Sequence, residues 1–226
     1  SFTEYDAAGR APKSYLAYPS TSTIGKFKVN AKAEQSIYIQ SAYGESVNSP
    51  TYSNTTFENS PYSRPLNVKE SGDGWGGNSS YLGNSFQYEF NTVDEHIKKW
   101  KIGFAETDIP VLDVTGNASG EYETGKLFKS VLLDEKQKKV YEYKDFSGNI
   151  ILKKVQLSNS TADNTHDGWL CTYYVYDDLD QLRATITPKA VVYLSQNSWS
   201  FALQIVYQEL CFYNHYDNRG RTIIKH

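Results

Sequence analysis

Any chemistry in this chain must come from a short list of side chains: Cys171 and Cys211, four histidines, and a few clustered carboxylates. His96, His166, His215 and His226 form neither a His-Glu-x-x-His unit nor a clustered Cys/His spacing, so no zinc site is expected. Asp177, Asp178 and Asp180 crowd one turn, and Glu106 and Asp108 another. Paired carboxylates are what glycoside hydrolysis needs, yet a turn role accounts for the first group. There is no Gly-x-Ser-x-Gly elbow, and the glycine-rich stretch at 72–77 lacks the Lys and the strand-to-helix context of a phosphate loop. No catalytic residue, metal ligand or cofactor is therefore expected. Trp75, flanked by glycines, is the candidate for contact with a ligand, whereas Trp100 and Trp169 fall in strand patterns and read as core. The lysines of Lys98-Lys99-Trp100-Lys101 and of 136–139 read as solvated faces, because acidic residues flank both groups.

The elements that would carry these residues are mostly strands. The 226 residues include 19 Tyr, 10 Phe and 4 Trp but no Met, and rings pack well on a pleated surface. A formal charge of -3 without a basic cluster gives no footprint for nucleic acid. No run approaches the roughly 18 apolar residues of a membrane helix. The length suits one large or two small domains. The expectation is an all-β fold with one or two short helices.

Residues 85–91 alternate strictly and, with 98–104, suggest an antiparallel pair. Segments 126–133, 139–143, 149–155, 169–176, 182–187 and 210–216 are further strands, bounded by Gly, Asp and Asn. Residues 72–78 and 156–168 read as loops. A helix is predicted over 31–43, with Asn30 as N-cap and Gly44 as its stop, and a second near 200–209. Residues 19–84 thus read as a loop-rich insertion around the first helix, and 85–226 as hairpins. The terminal 222–226 segment reads as a strand in progress, and with no apolar leader at Ser1 the chain is expected to be a piece of a longer polypeptide. Exposed sheet edges would then pair between copies or be covered by loops at 45–80.

One turn recurs. Tyr5-Asp6-Ala7-Ala8-Gly9-Arg10 and Tyr216-Asp217-Asn218-Arg219-Gly220-Arg221 share Tyr-Asp-x-x-Gly-Arg, and variants stand at Asp145-Phe146-Ser147-Gly148-Asn149 and Tyr176-Asp177-Asp178-Leu179-Asp180-Gln181. Asp134-Glu135-Lys136-Gln137-Lys138 is a weaker copy. Asp can bond the backbone two residues on, and Gly accepts the positive φ that closes the turn. The last two copies, at Asp177 and Asp217, align further upstream over 170–177 and 210–217, so that each Cys stands six residues before its Asp. If Cys171 and Cys211 sit on equivalent strands with one strand between, at about 4.8 Å per strand they lie beyond the roughly 7 Å reach of a disulfide. Two free, buried thiols are expected.

These turns resemble the YD repeat of rearrangement-hotspot (Rhs) proteins. The resemblance extends to 13–19, Phe57-Glu58-Asn59-Ser60-Pro61, 173–178 with Thr187-Pro188-Lys189-Ala190, and 209–221, and so spans nearly the whole chain. It looks like the amino-terminal region of large bacterial surface Rhs-type proteins. The family implies β-hairpins laid side by side in a twisted, spiralling sheet, which in full-length members wraps into a shell around a carboxy-terminal effector, often a toxin. The chain departs from the pattern at Lys144 for Tyr, Asp180 for Gly and Asn149 for Arg. The resemblance implies a non-enzymatic scaffold, secreted or at the cell surface, whose partner is the rest of the parent polypeptide. The alternatives are a module that binds a surface glycan or protein, and a glycosidase or self-cleaving enzyme.

Overall fold

The computed structural model describes residues 1–20, 25, 27–76, 80–103, 109–158, 162–201 and 204–226. The fold is antiparallel β-sheet with three short helices, as the sequence leads one to expect. The chain divides into two compact units, one made of residues 1–87 with 133–137 and the other of 88–132 with 138–226.

The first unit contains β1 (Thr3–Glu4), β2 (Lys13–Tyr15), α1 (Ala31–Tyr43), β3 (Tyr52–Phe57), β4 (Pro65–Lys69) and the start of β5 (Asn84–Phe90). The five strands pair antiparallel in chain order. The expected insertion over 19–84 is therefore only partly loop, because β3 and β4 are full members of the sheet. Ser53, Asn54, Thr55 and Thr56 hide β3 from a hydrophobic pattern, and Pro65 opens β4 at the first-residue position that proline tolerates. Helix α1 docks through Gln35 and Ile39, one turn apart and both buried. The Gln35 amide donates to the Thr51 carbonyl at 2.8 Å and accepts from the Thr51 hydroxyl at 2.7 Å, so a buried polar group is fully used. The helix stops at Gly44, which is left-handed at φ 70. Asn30 makes no side-chain cap bond; only its carbonyl takes part, accepting from the Glu34 N–H.

The second unit holds β6 (Trp100–Ile102), β7 (Pro110–Leu112), β8 (Phe128–Leu133), β9 (Lys139–Lys144), β10 (Ile150–Gln156), β11 (Trp169–Tyr176), β12 (Leu182–Ile186), α2 (Pro188–Gln196), α3 (Gln204–Leu210), β13 (Cys211–Tyr216) and β14 (Thr222–Lys225). Strands β8 to β14 follow one another in chain order across one antiparallel sheet. Its inner face alternates as period 2 requires: Trp169, Cys171, Tyr173 and Val175 of β11 are buried, beside Tyr141 and Tyr143 of β9 and Ala184 and Ile186 of β12. Ala190, Val191 and Leu194 of α2 are buried too.

Three details differ from expectation. Residues 98–104 do not pair with 85–91: β6 pairs with β7, Trp100 opposite Leu112. A capping box at Thr92 and Glu95 forms a single 3-10 turn, and left-handed His96 (φ 51) ends it and redirects the chain. Phe104, Glu106 and Asp108 lie outside the described residues. Helix α2 was not expected, although Thr187-Pro188 carries its signal, with the threonine hydroxyl accepting from the Ala190 N–H and proline in the first turn. The helix expected near 200–209 is α3, Gln204–Leu210. Finally, Ile186 opposes both Tyr173 and Cys211, so Cys211 is level with Tyr173 and not with Cys171. The offset of two residues keeps both cysteines on the inner face, where both are free and burial pushes each thiol up to about 12.

Candidate functional site

The repeated turn keeps a common core, the N–H three residues on donating to the aspartate carbonyl from a left-handed residue, while the carboxylate bonds vary. In the first copy the Asp6 carboxylate accepts from the Ala8 and Arg10 N–H groups, both at 2.9 Å, while the Asp6 carbonyl accepts from the Gly9 N–H at 3.0 Å. Gly9 is left-handed at φ 74. This is a type I turn followed by an αL residue, the three-residue hairpin loop. The turn at Asp217 repeats it with Arg219, Arg221 and Gly220. At Asp177 the same oxygen accepts from the Leu179 and Gln181 N–H groups, both at 3.0 Å, and Asp180 fills the αL position at φ 58. Asp145 accepts from the Asn149 N–H at 2.8 Å, with Gly148 at φ 93, and Asp134 from the Lys136 N–H at 2.8 Å, with Gln137 at φ 62. The departures from the consensus thus leave the backbone unchanged, since Asp tolerates αL and the bonds that define the turn come from the backbone.

The arginine position varies in its partners. Arg10 and Arg221 each place Nε 2.7 Å from their own aspartate, and these bonds, led by those from the arginine backbone N–H groups, hold Asp6 and Asp217 below the usual carboxylate range. Asp177 borrows Arg183 (3.3 Å) and Asp145 uses the Asn149 amide (3.2 Å). Neighbouring turns are linked: Asn149 also donates to Asp180 at 2.8 Å, and Arg10 to the Glu58 carbonyl at 3.0 Å. The tyrosines share no common contact, for Tyr5 is exposed, Tyr176 is half-buried and Tyr216 donates to the Leu182 carbonyl at 3.0 Å.

A sixth turn escaped the sequence reading. Glu58 stands where Asp would, its carboxylate accepts from Arg64 Nε and Nη2, both at 2.9 Å, and left-handed Ser63 (φ 50) precedes Arg64. Arg64 and Ser60 together hold the Glu58 carboxyl down at about 2. The loop around Pro61 is two residues longer, so the longer acid is needed to span it. Trp75, the candidate ligand contact, is about half exposed, with its ring edge-on to Tyr81 at 5.0 Å.

The second unit also carries an open cavity of about 1220 Å³ that sequence reasoning did not find. Its polar corner joins His96, Lys98, Glu121, His166 and Trp199. Lys98 was expected on a solvated face; it is buried instead, with Nζ 2.5 Å from Glu121 and 5.2 Å from the Trp199 ring centre. A backbone bridge between Lys98 and Glu121 sets the pair opposite each other. Burial alone would raise the Glu121 carboxyl, but Lys98 and His96 outweigh it and hold it low. Lys99 and Lys101 do reach outward and share Asp113. Behind the cavity, Lys154 donates to the Asp163 and Thr165 carbonyls (2.8 and 2.7 Å) above the Trp169 ring, tying down residues 163–165. Burial lowers its ammonium to about 8.

Residues 1–90 match the family model described as Domain of unknown function (DUF6443), a span that contains the turns at Asp6 and Glu58. No curated protein matches the chain. Among the described residues no group of three or more His, Cys, Asp or Glu could hold a metal ion, and no helix is long and apolar enough to cross a membrane.

Proposed function

We propose that the chain is a non-enzymatic structural segment, a run of YD-repeat-type hairpins forming part of the β shell or stalk of a large exported Rhs-like protein. The observation that carries this reading is the aspartate turn. At Asp6, Asp134, Asp145, Asp177 and Asp217 alike the aspartate carbonyl accepts from the N–H three residues on, and the residue there is left-handed, including where the consensus Tyr, Gly or Arg is missing. A turn built in this way joins hairpins in chain order and commits its aspartate to holding the backbone. In this reading the partner is the remainder of the parent polypeptide, and the place is the cell surface or beyond.

The experiment is a turnover screen on the purified chain with glycan, ester, phosphoester and peptide substrates, alongside intact-mass measurement after long incubation. No turnover and an unchanged mass are expected. Turnover that Asp178→Asn abolishes while the fold is kept would overturn the reading in favour of an enzyme. Saturable binding on a glycan array, lost in Trp75→Ala, would move it to a surface-binding module.

A further inference from the structure

A scaffold has no need of the cavity at His166, and its construction is that of a binding site. Tyr173, fully buried, accepts from the Lys98 N–H at 3.0 Å and lies 2.6 Å from His166 Nε2. Only one arrangement satisfies both groups: the tyrosine hydroxyl donates to Nε2, because otherwise its proton would be buried without an acceptor. His166 is therefore fixed with its proton on Nδ1. That N–H has no protein partner among the described residues. Burial, reinforced by Lys154 and Lys98, depresses the imidazole to about 3, so it stays a neutral donor.

The backbone is strained at the same place. Ser198 and Trp199 follow α2 as left-handed residues at φ 53 and 57; the first is an ordinary close of a helix, whereas a bulky residue such as the tryptophan in that region is a genuine outlier. Strain of this kind persists where ligands are clamped. Trp199 is held there by its N–H to the Leu194 carbonyl (2.8 Å) and by its edge-on contact with His166 (4.8 Å between ring centres). Lys98 is already paired with Glu121, and the other two wall charges, Lys189 and Asp167, are one of each sign, so the site has no net charge with which to select an ionic ligand. Leu157, Leu170, Val191 and Val192 line the rest with apolar surface.

We infer that this cavity binds an uncharged amphipathic ligand, an aromatic or aliphatic body carrying an amide-type carbonyl that accepts the Nδ1–H of His166. This goes beyond the scaffold reading and does not depend on it. The same chemistry is found in a free small amide and in a peptide segment.

The full chain is titrated with N-acetyl-phenylalaninamide, with the carboxylate N-acetyl-phenylalanine and with the ammonium phenethylamine, following indole fluorescence and the imidazole nitrogen spectrum of His166. The neutral amide is expected to bind saturably and to shift the Nδ1–H signal, with both charged analogues about tenfold weaker or more. Val192→Trp, at an exposed helix position that leaves the core alone, is expected to block binding with the fold retained. A capped tripeptide that binds more tightly than the single amide assigns the site to peptide, and one with no gain assigns it to a small molecule. Absence of saturable amide binding, equal binding of a charged analogue, or unaltered binding by Val192→Trp would overturn the proposal.

Discussion

The two ends of the second unit's sheet are built on different principles. At one end lie the connections 145–149, 177–181 and 217–221, three aspartate turns on alternate hairpins with the same backbone bonds. At the other end Leu157, residues 164–168, the outer face of α2 and Trp199 line the cavity. The turn end repeats because its information is local, one aspartate bonded through its carbonyl and its carboxylate to the amides three and four residues on. Long-range contacts specify the cavity end: Tyr173 meets a backbone amide 75 residues away. One end can be duplicated along a chain, while the other exists once and can specialise.

The largest effect that would sharpen this contrast belongs to the cavity end. His166 has a folded-state pKa of about 3 against an ordinary 6.5. Between these values the unfolded chain binds a proton that the folded one does not, so stability is full above pH 6.5 and falls with acid by about 1.4 kcal/mol per pH unit. Urea unfolding at pH 7, 6 and 5 should show that slope, and His166→Phe should flatten it. The turn carboxylates Glu58, Asp6 and Asp217, whose pKa values are lowered by folding, add their losses only below about 4.5.

At the turn end, Asp177→Ala removes the acceptor of two backbone N–H groups and of Arg183. A loss of about 2 kcal/mol is expected in equilibrium unfolding, with the cavity titration unchanged. A loss below about 0.5 kcal/mol would mean that the aspartates do not hold these turns. Smaller still are the αL positions. A Cβ on Gly148 would meet open space, so Gly148→Ala tests φ 93 alone and should cost about 1 kcal/mol. Gln137→Gly should act with the opposite sign, stabilising by up to about 1 kcal/mol. If both substitutions destabilise, the turns do not share one backbone requirement.

The sequence was informative where structure is local. Strand β11 is legible to the residue, because Trp169, Cys171, Tyr173 and Val175 alternate with outward residues. The aspartate turns are legible because each is a single chemical unit. Strand β3 was not, since its polar residues face half-buried surroundings on both sides. Lys98 was misread because its neighbours Lys99 and Lys101 are outward, and only the bridge to Glu121, 23 residues on, turns it into a buried ion pair. The polar corner of the cavity comes from separate segments, near 98, 121, 166 and 199, with no spacing for a motif to record.

The central claim is that the hairpins are interchangeable units of an extensible sheet. Strand β14 is exposed throughout, with Ile223 and Ile224 uncovered. Fusing a second copy of residues 211–226 after His226 tests that claim most directly, by urea unfolding together with amide exchange of β14. Repeat energetics predict a higher unfolding midpoint and new protection of the outward β14 amides, because the added hairpin contributes a nearest-neighbour interface. An unchanged or lower midpoint, with the appended residues exchanging freely, would contradict the account.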